Sequence, residues 1–172
     1  ALLNPPIRPK IHSQVLFEHL KKGTIQCIGS DHSPHTIEEK QKPYGQAPSG
    51  MPSVQTQLPL LLTKVNQNQC SLQEVVKWMA EGPSAIFNIA NKGKIEPNFD
   101  ADITLIDLKK KQPITKKMLF SKAGWSPYEN WVCQGFPLIT IINGQMVFRE
   151  NDFFEKVKGK EIIFHQKEPI NK

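Results

Sequence analysis

Apolar residues recur at helical spacing in Val15, Leu16 and Leu20, with charged residues between them, which predicts a short helix over residues 13–22. Gly23 follows where such a helix must stop, since glycine enters left-handed backbone geometry without a Cβ clash. The pattern then changes. Thr24-Ile25-Gln26-Cys27-Ile28-Gly29-Ser30 is short and rich in strand formers, and predicts a buried strand ending at Asp31. Residues 32–53 carry no period and contain Pro34, Pro43, Pro48, Pro52, Gly45 and Gly50, which predicts one long loop. Long loops inside folded domains concentrate at functional sites.

Helical texture returns over residues 54–66, where Leu58, Leu60, Leu61 and Leu62 predict a buried helix. Another starts at Ser71, with Glu74 at the capping-box position and Leu72, Val75, Val76 and Met79 on its apolar face. Residues 83–89 predict a further helical turn or two. After Gly93 the chain becomes β-rich. Residues 101–108 predict a strand, and residues 137–142 and 145–148 flank Asn143-Gly144, a pair that favours a two-residue type I′ hairpin. The change of texture divides the chain into residues 1–92 and 93–172, and the polar last dozen residues predict a poorly ordered tail. No internal repeat or low-complexity tract is present.

Composition narrows the class. The 172 residues suffice for one domain of ordinary size or pieces of two, and 38% hydrophobic with 22% charged residues is normal for a folded chain. The net charge of +6 invites a nucleic-acid or membrane partner, but runs such as Lys109-Lys110-Lys111 and Lys116-Lys117 are not interleaved with aromatics. We read them as a solvated basic surface, with no nucleic-acid and no membrane role. No apolar run reaches the roughly 18 residues of a membrane span. Cys27, Cys70 and Cys133 lie far apart without a Cys-x-x-Cys pair, which argues against a zinc ribbon or disulfide framework and fits a reducing cytoplasm. The chain opens on Ala1-Leu2-Leu3-Asn4-Pro5-Pro6, with no initiator Met and no leader, and reads as an interior stretch of something longer. Asn4-Pro5-Pro6 predicts a rigid turn.

Asp31-His32-Ser33-Pro34-His35 carries the candidate chemistry. A strand that ends in an acid and histidines, followed by a Gly/Pro loop, has the layout of an active site, because catalytic groups of α/β folds gather at the C-terminal ends of parallel strands. An aspartate there can bind a divalent metal and accept a proton from metal-bound water. Pro34 stiffens the turn and sets the directions of His32 and His35 relative to Asp31. Taken alone, Asp-His-x-x-His reads equally well as a hydrogen-bonded strand end with surface histidines. His12, His19 and His165 stand in unrelated contexts and read as ordinary surface or helix histidines.

The flanks break that tie. Ser30 to Thr36, Glu38-Glu39-Lys40 and Ala47-Pro48-Ser49-Gly50 resemble the dihydroorotases of the amidohydrolase superfamily. So do Asn4-Pro5-Pro6-Ile7-Arg8, Glu81 to Phe87, Gly93-Lys94-Ile95, Asp100 to Asp107, Trp125-Ser126-Pro127-Tyr128 and Thr140 to Gly144, in order and over nearly the whole chain. The resemblance implies an α/β fold: the C-terminal part of a distorted (β/α)8 TIM barrel plus strands of a small β-sandwich. Residues 1–92 would be the last β/α units with the active-site loop, with Asn4 after barrel strand seven and residues 24–30 as strand eight. Residues 93–172 would be the C-terminal portion of the sandwich and a tail.

The same resemblance implies roles. Asp31 would be the catalytic aspartate and a zinc ligand, carrying a proton between the attacking hydroxide and the ring nitrogen. Asn4 would hydrogen-bond the pyrimidine ring, His35 would contact the substrate carboxylate, and Ser49 and Gly50 would lie on the loop whose backbone holds the substrate. The family usually has phenylalanine where Ser49 stands. His32 would be a neighbour of the site. The implied reaction is zinc-dependent, reversible hydrolysis of dihydroorotate to N-carbamoyl-L-aspartate in pyrimidine biosynthesis. Allantoinases resemble this segment with cysteine in place of His35. Allantoinase, hydantoinase and a non-catalytic amidohydrolase-like scaffold stand as alternatives. The His-x-His, the bridging lysine and the other histidines of the binuclear zinc site precede Asn4 in the family, and no His-x-His occurs here. The isolated chain is therefore expected neither to bind zinc tightly nor to turn over dihydroorotate, with the rest of the barrel on another chain or a longer parent. Assembly into a homo-oligomer is left open.

Overall fold

The geometry at Pro9 begins the first helix. In the computed structural model, which describes residues 2–154 and 157–165, α1 spans Lys10–Lys21, starting earlier than the apolar pattern alone indicates. The Pro9 carbonyl accepts the His12 N–H at 2.9 Å, and the helix closes with Gly23 at φ +77 donating to Leu20 O at 3.1 Å. Leu20 is buried, while Ile11, Val15 and Leu16 stay exposed.

The strand expected over residues 24–30 is an extended segment with no ladder partner among the described residues. Its backbone bonds run elsewhere: Ile25 N–H donates to His19 O at 3.2 Å and Ile28 N–H to Trp78 O at 3.1 Å. A strand exists only by pairing, and no parallel neighbour is at hand. The described residues hold helices around an extended segment, and the parallel pairing present is the isolated bridge between His32 and Met51.

The long loop contains a short helix, α2, Ile37–Lys40. Its capping box is complete: Glu39 N–H donates to Thr36 Oγ1 at 3.3 Å, and Thr36 N–H to Glu39 Oε2 at 2.8 Å. That signal, Thr36-x-x-Glu39, lies in the sequence and is masked by the surrounding prolines and glycines. Helix α3 spans Gln57–Asn66, and α4, Leu72–Val76, starts at Ser71 with both expected capping-box bonds to Glu74 in place.

The chain then passes through a π-helical turn, Lys77–Glu81, into α5, Gly82–Ile86. Two residues explain the turn. Gly82 N–H donates to Lys77 O, and Pro83 has no N–H to offer Trp78 O. The free Trp78 carbonyl is the one that holds Ile28. A Cβ at position 82 would overlap Gln26 O and stand 2.8 Å from Lys77 O. We therefore expect Gly82→Ala to force residues 26–28 off the helix and to cost about 1–3 kcal/mol, read from the denaturant midpoint. A midpoint that does not move would contradict this contact.

The core on this side consists of Leu20, Leu61, Val75 and Trp78, with Phe17 meeting Trp78 edge-on at 5.8 Å between ring centroids. The β-rich part is a four-stranded antiparallel sheet in chain order: β1 Ile103–Pro113, β2 Val132–Ile142, β3 Gln145–Arg149 and β4 Asp152–Phe153. The β2–β3 turn has Asn143 at φ +49 and Gly144 at φ +75, as a type I′ hairpin requires. Among the described residues the strands form one sheet, and α3 packs against its β2 strand. Leu60 packs against buried Ile114, Cys133 and Phe136, and Gly135 at φ +101 lets β2 come so close to Leu62 that a Cβ would lie 2.5 Å from it.

Lys92 Nζ binds Asp100 at 3.0 Å and also Asp102, whose other oxygen accepts the Asn143 N–H at 2.8 Å. Burial alone would raise the Asp102 pKa, but the bonds from Lys92 and Asn143 hold it below the usual carboxylate value. Of the tail expected to be poorly ordered, residues 166–172 lie outside the described residues. Residues 163–165 are tied down: Ala90 N–H donates to Ile163 O and His165 N–H to Asn88 O, both at 2.8 Å. No helix among the described residues is long and apolar enough to cross a membrane.

Candidate active site

Asp31 ends the extended segment in left-handed geometry, φ +45, which aspartate tolerates better than most residues. It is exposed, with Ser33 Oγ at 3.5 Å from Oδ1, the outer limit of a hydrogen bond. The chain beyond it is laced to the far end of the loop. Ser33 N–H donates to Met51 O at 3.2 Å, and Gly50 N–H donates to Leu2 O at 3.2 Å. Gly50 sits at φ +124, and a Cβ there would stand 2.5 Å from Ser33 O. Only glycine permits this approach.

These contacts gather three separate segments. Asn4, Asp31, Ser49 and Gly50 line one cavity of about 370 Å³. The structure thus brings together four of the five residues singled out from sequence. His35 stands outside that lining. Its Nδ1 is 3.7 Å from Glu39 Oε2, and its carbonyl accepts the Trp125 Nε1–H at 2.7 Å. The Glu39 carboxyl lies below its ordinary pKa, chiefly through the Thr36 backbone N–H and, in lesser part, through His35.

His32 has a different task. Its Nδ1 accepts the backbone N–H groups of Ser53 at 3.0 Å and Val54 at 3.3 Å, which assigns the ring proton to Nε2. Ser53 Oγ adds a bond to Ser30 O at 2.6 Å. Together they fasten the end of the loop to the Asp31 segment. Sequence reasoning left two further residues unassigned. Trp125 reaches His35 across ninety positions of chain, for which no local pattern exists. Lys40 Nζ donates to Leu2 O and Pro48 O, both at 2.8 Å; the Thr36–Glu39 capping box was the available signal for the helix that carries it.

Among the described residues no group of three or more His, Cys, Asp or Glu side chains could hold a metal ion. A zinc centre takes three or four protein ligands, so these residues do not by themselves fit a binuclear zinc site. What they offer is an accessible carboxylate that can accept a proton, a carboxamide that can both donate and accept, and loop backbone at one cavity.

The amidohydrolase family model matches residues 10–147. A dihydroorotase of Pyrococcus furiosus is 38% identical over 159 residues, covering 92% of this chain and 37% of that protein. A dihydroorotase of Methanothermobacter thermautotrophicus is 41% identical over 152 residues, covering 88% and 35%. Among solved structures, dihydropyrimidinase from Brevibacillus agri matches with a TM-score of 0.84 at 26% identity, covering 88% of this chain and 34% of that one. The L-hydantoinase of Arthrobacter aurescens matches with 0.83 at 30% identity, covering 89% and 35%. The chain spans little more than a third of the length of these relatives. The family match runs from the start of α1 through Asp31, the loop and α3–α5 into β3, and the chain belongs to the amidohydrolase family.

Proposed function

We propose that the chain is the C-terminal, substrate-binding part of a dihydroorotase, which opens and closes the cyclic amide of dihydroorotate. One observation carries the reading: Asn4, Asp31, Ser49 and Gly50, drawn from three segments, line one cavity. Identities of 38–41% to dihydroorotases support the substrate class. Asp31 accepts and returns the proton that moves during ring opening. The Asn4 carboxamide pairs with the amide edge of the ring, and the Ser49–Gly50 backbone holds its far side. His35, next to the cavity in sequence, serves the substrate carboxylate. Zinc ligands other than Asp31 come from outside this sequence, together with the rest of the barrel. Residues 1–92 belong to that barrel and residues 93–172 to the accessory domain, and the enzyme works in the cytoplasm on a small-molecule substrate.

A second reading, a hydantoinase or dihydropyrimidinase, is favoured by the structural likeness to those enzymes at TM-scores of 0.83–0.84. The whole protein should be assayed on dihydroorotate, hydantoins and allantoin. We expect dihydroorotate to be preferred by roughly a hundredfold or more in kcat/KM, since a site built for a carboxylate rejects analogues that lack it. Faster turnover of a hydantoin would replace the first reading with the second. No turnover of any cyclic amide would favour a non-catalytic scaffold.

A further inference from the structure

We propose that Lys40 is a positioning residue that holds together two walls of the Asp31 cavity, an inference that rests on the substrate site described above. Lys40 is half-buried, and its ammonium donates to Leu2 O and to Pro48 O, each at 2.8 Å. Leu2 lies two residues before Asn4, and Pro48 immediately precedes Ser49. One cation therefore joins the segment that carries the Asn4 wall to the segment that carries the Ser49–Gly50 wall.

The Leu2 carbonyl is shared. It also accepts the Gly50 N–H at 3.2 Å, so the ammonium strengthens a junction that otherwise consists of one backbone bond. Without the cation, the Pro48 carbonyl loses its ammonium donor and the Leu2 carbonyl keeps only the Gly50 N–H in a half-buried space. The reach of Lys40 is itself set locally. Helix α2 is one turn long, and its start is fixed by the reciprocal Thr36–Glu39 capping box, which delivers Lys40 to the gap. Lys40 is not part of the cavity lining and its ammonium bonds are to backbone carbonyls, so its effect on the site is to keep Asn4 and Ser49–Gly50 at one spacing.

The test uses Lys40→Met and Lys40→Arg in the whole protein. Hydrogen exchange at the Gly50 amide reads the junction without any substrate. Steady-state kinetics on the preferred cyclic amide reads the site. Lys40→Met should speed Gly50 exchange and raise KM, each roughly tenfold or more, as expected for loss of charge-assisted bonds, with kcat within a few-fold of wild type. Lys40→Arg, which can still donate to both carbonyls, should recover part of both effects. Unchanged Gly50 exchange in Lys40→Met, or a KM that stays near wild type, would overturn the proposal. So would a fall in kcat with no rise in KM. Failure of the wild type to turn over dihydroorotate would instead remove the substrate reading. Gly50 exchange and KM for whichever cyclic amide is used would then decide the role of Lys40.

Discussion

Asp31→Asn should lower kcat/KM for cyclic-amide hydrolysis by the whole enzyme about 10²–10⁴-fold, the usual contribution of a positioned proton-transfer group. The substitution keeps the local backbone while removing both proton acceptance and the carboxylate proposed as a zinc ligand. Asparagine accepts left-handed geometry about as well as aspartate, so the backbone at φ +45 can be kept. Its carboxamide can still accept from Ser33 Oγ. What disappears is the charge and the ability to take a proton. Asp31→Ala is a poorer probe, because it adds backbone strain to the loss of the carboxylate. The measurement is kcat/KM alongside thermal unfolding. Loss of activity with an unchanged Tm supports the assigned role, while activity within tenfold of wild type removes Asp31 from the proton path.

The largest expected effect on stability is at Trp78. Trp78→Ala should cost about 3–5 kcal/mol, because the side chain is only 2% exposed and the hole it leaves is bounded by α1, α3, α4 and the extended segment. The corresponding fall in Tm is on the order of 10 °C for a chain of this size. Phe17 would lose its edge-on partner, and Leu20, Leu61 and Val75 would face the cavity. The loss would also reach the site. The Trp78 carbonyl holds Ile28, and Ile28 lies three residues before Asp31. Trp78→Phe fills part of the volume and should cost clearly less. Chemical denaturation of both variants checks the order, and an alanine variant as stable as the phenylalanine one would refute the packing account.

Much of this molecule is written in short-range patterns. Ser71 with Glu74, Asn143 with Gly144, and the leucines of residues 58–62 each announce an element that forms where expected, since caps, type I′ turns and apolar faces depend on residues a few positions apart. Thr36 with Glu39 belongs to the same class and was hidden by its Gly/Pro surroundings. The candidate site was legible as a set of residue types, Asn4, Asp31, His35, Ser49 and Gly50, through their resemblance to a known family. Its assembly was not. The pocket depends on bonds such as Gly50 to Leu2 and Lys40 to Pro48 and Leu2, which span from eight to forty-eight positions of chain.

His32 shows the difference most clearly. It shares the Asp-His-x-x-His motif and was expected only to neighbour the site, and its Nδ1 is occupied by two backbone N–H groups, so that it serves to close the loop. Residues 24–30 show it at the level of an element. Their β-rich composition is real, but pairing needs a neighbour, and the segment lies on α4–α5 through a carbonyl freed by Pro83. By itself the sequence determined the helices, the hairpin and the caps, because these follow from local backbone preference and side-chain chemistry, and it singled out Asp31 as a candidate through resemblance to a family. Tertiary structure alone decided that α3 covers the sheet, that the extended segment has no ladder partner among the described residues, and that Asn4, Asp31 and Gly50 share one cavity. Those outcomes are set by which distant surfaces exclude water and satisfy hydrogen bonds together, and no window along the chain contains both partners.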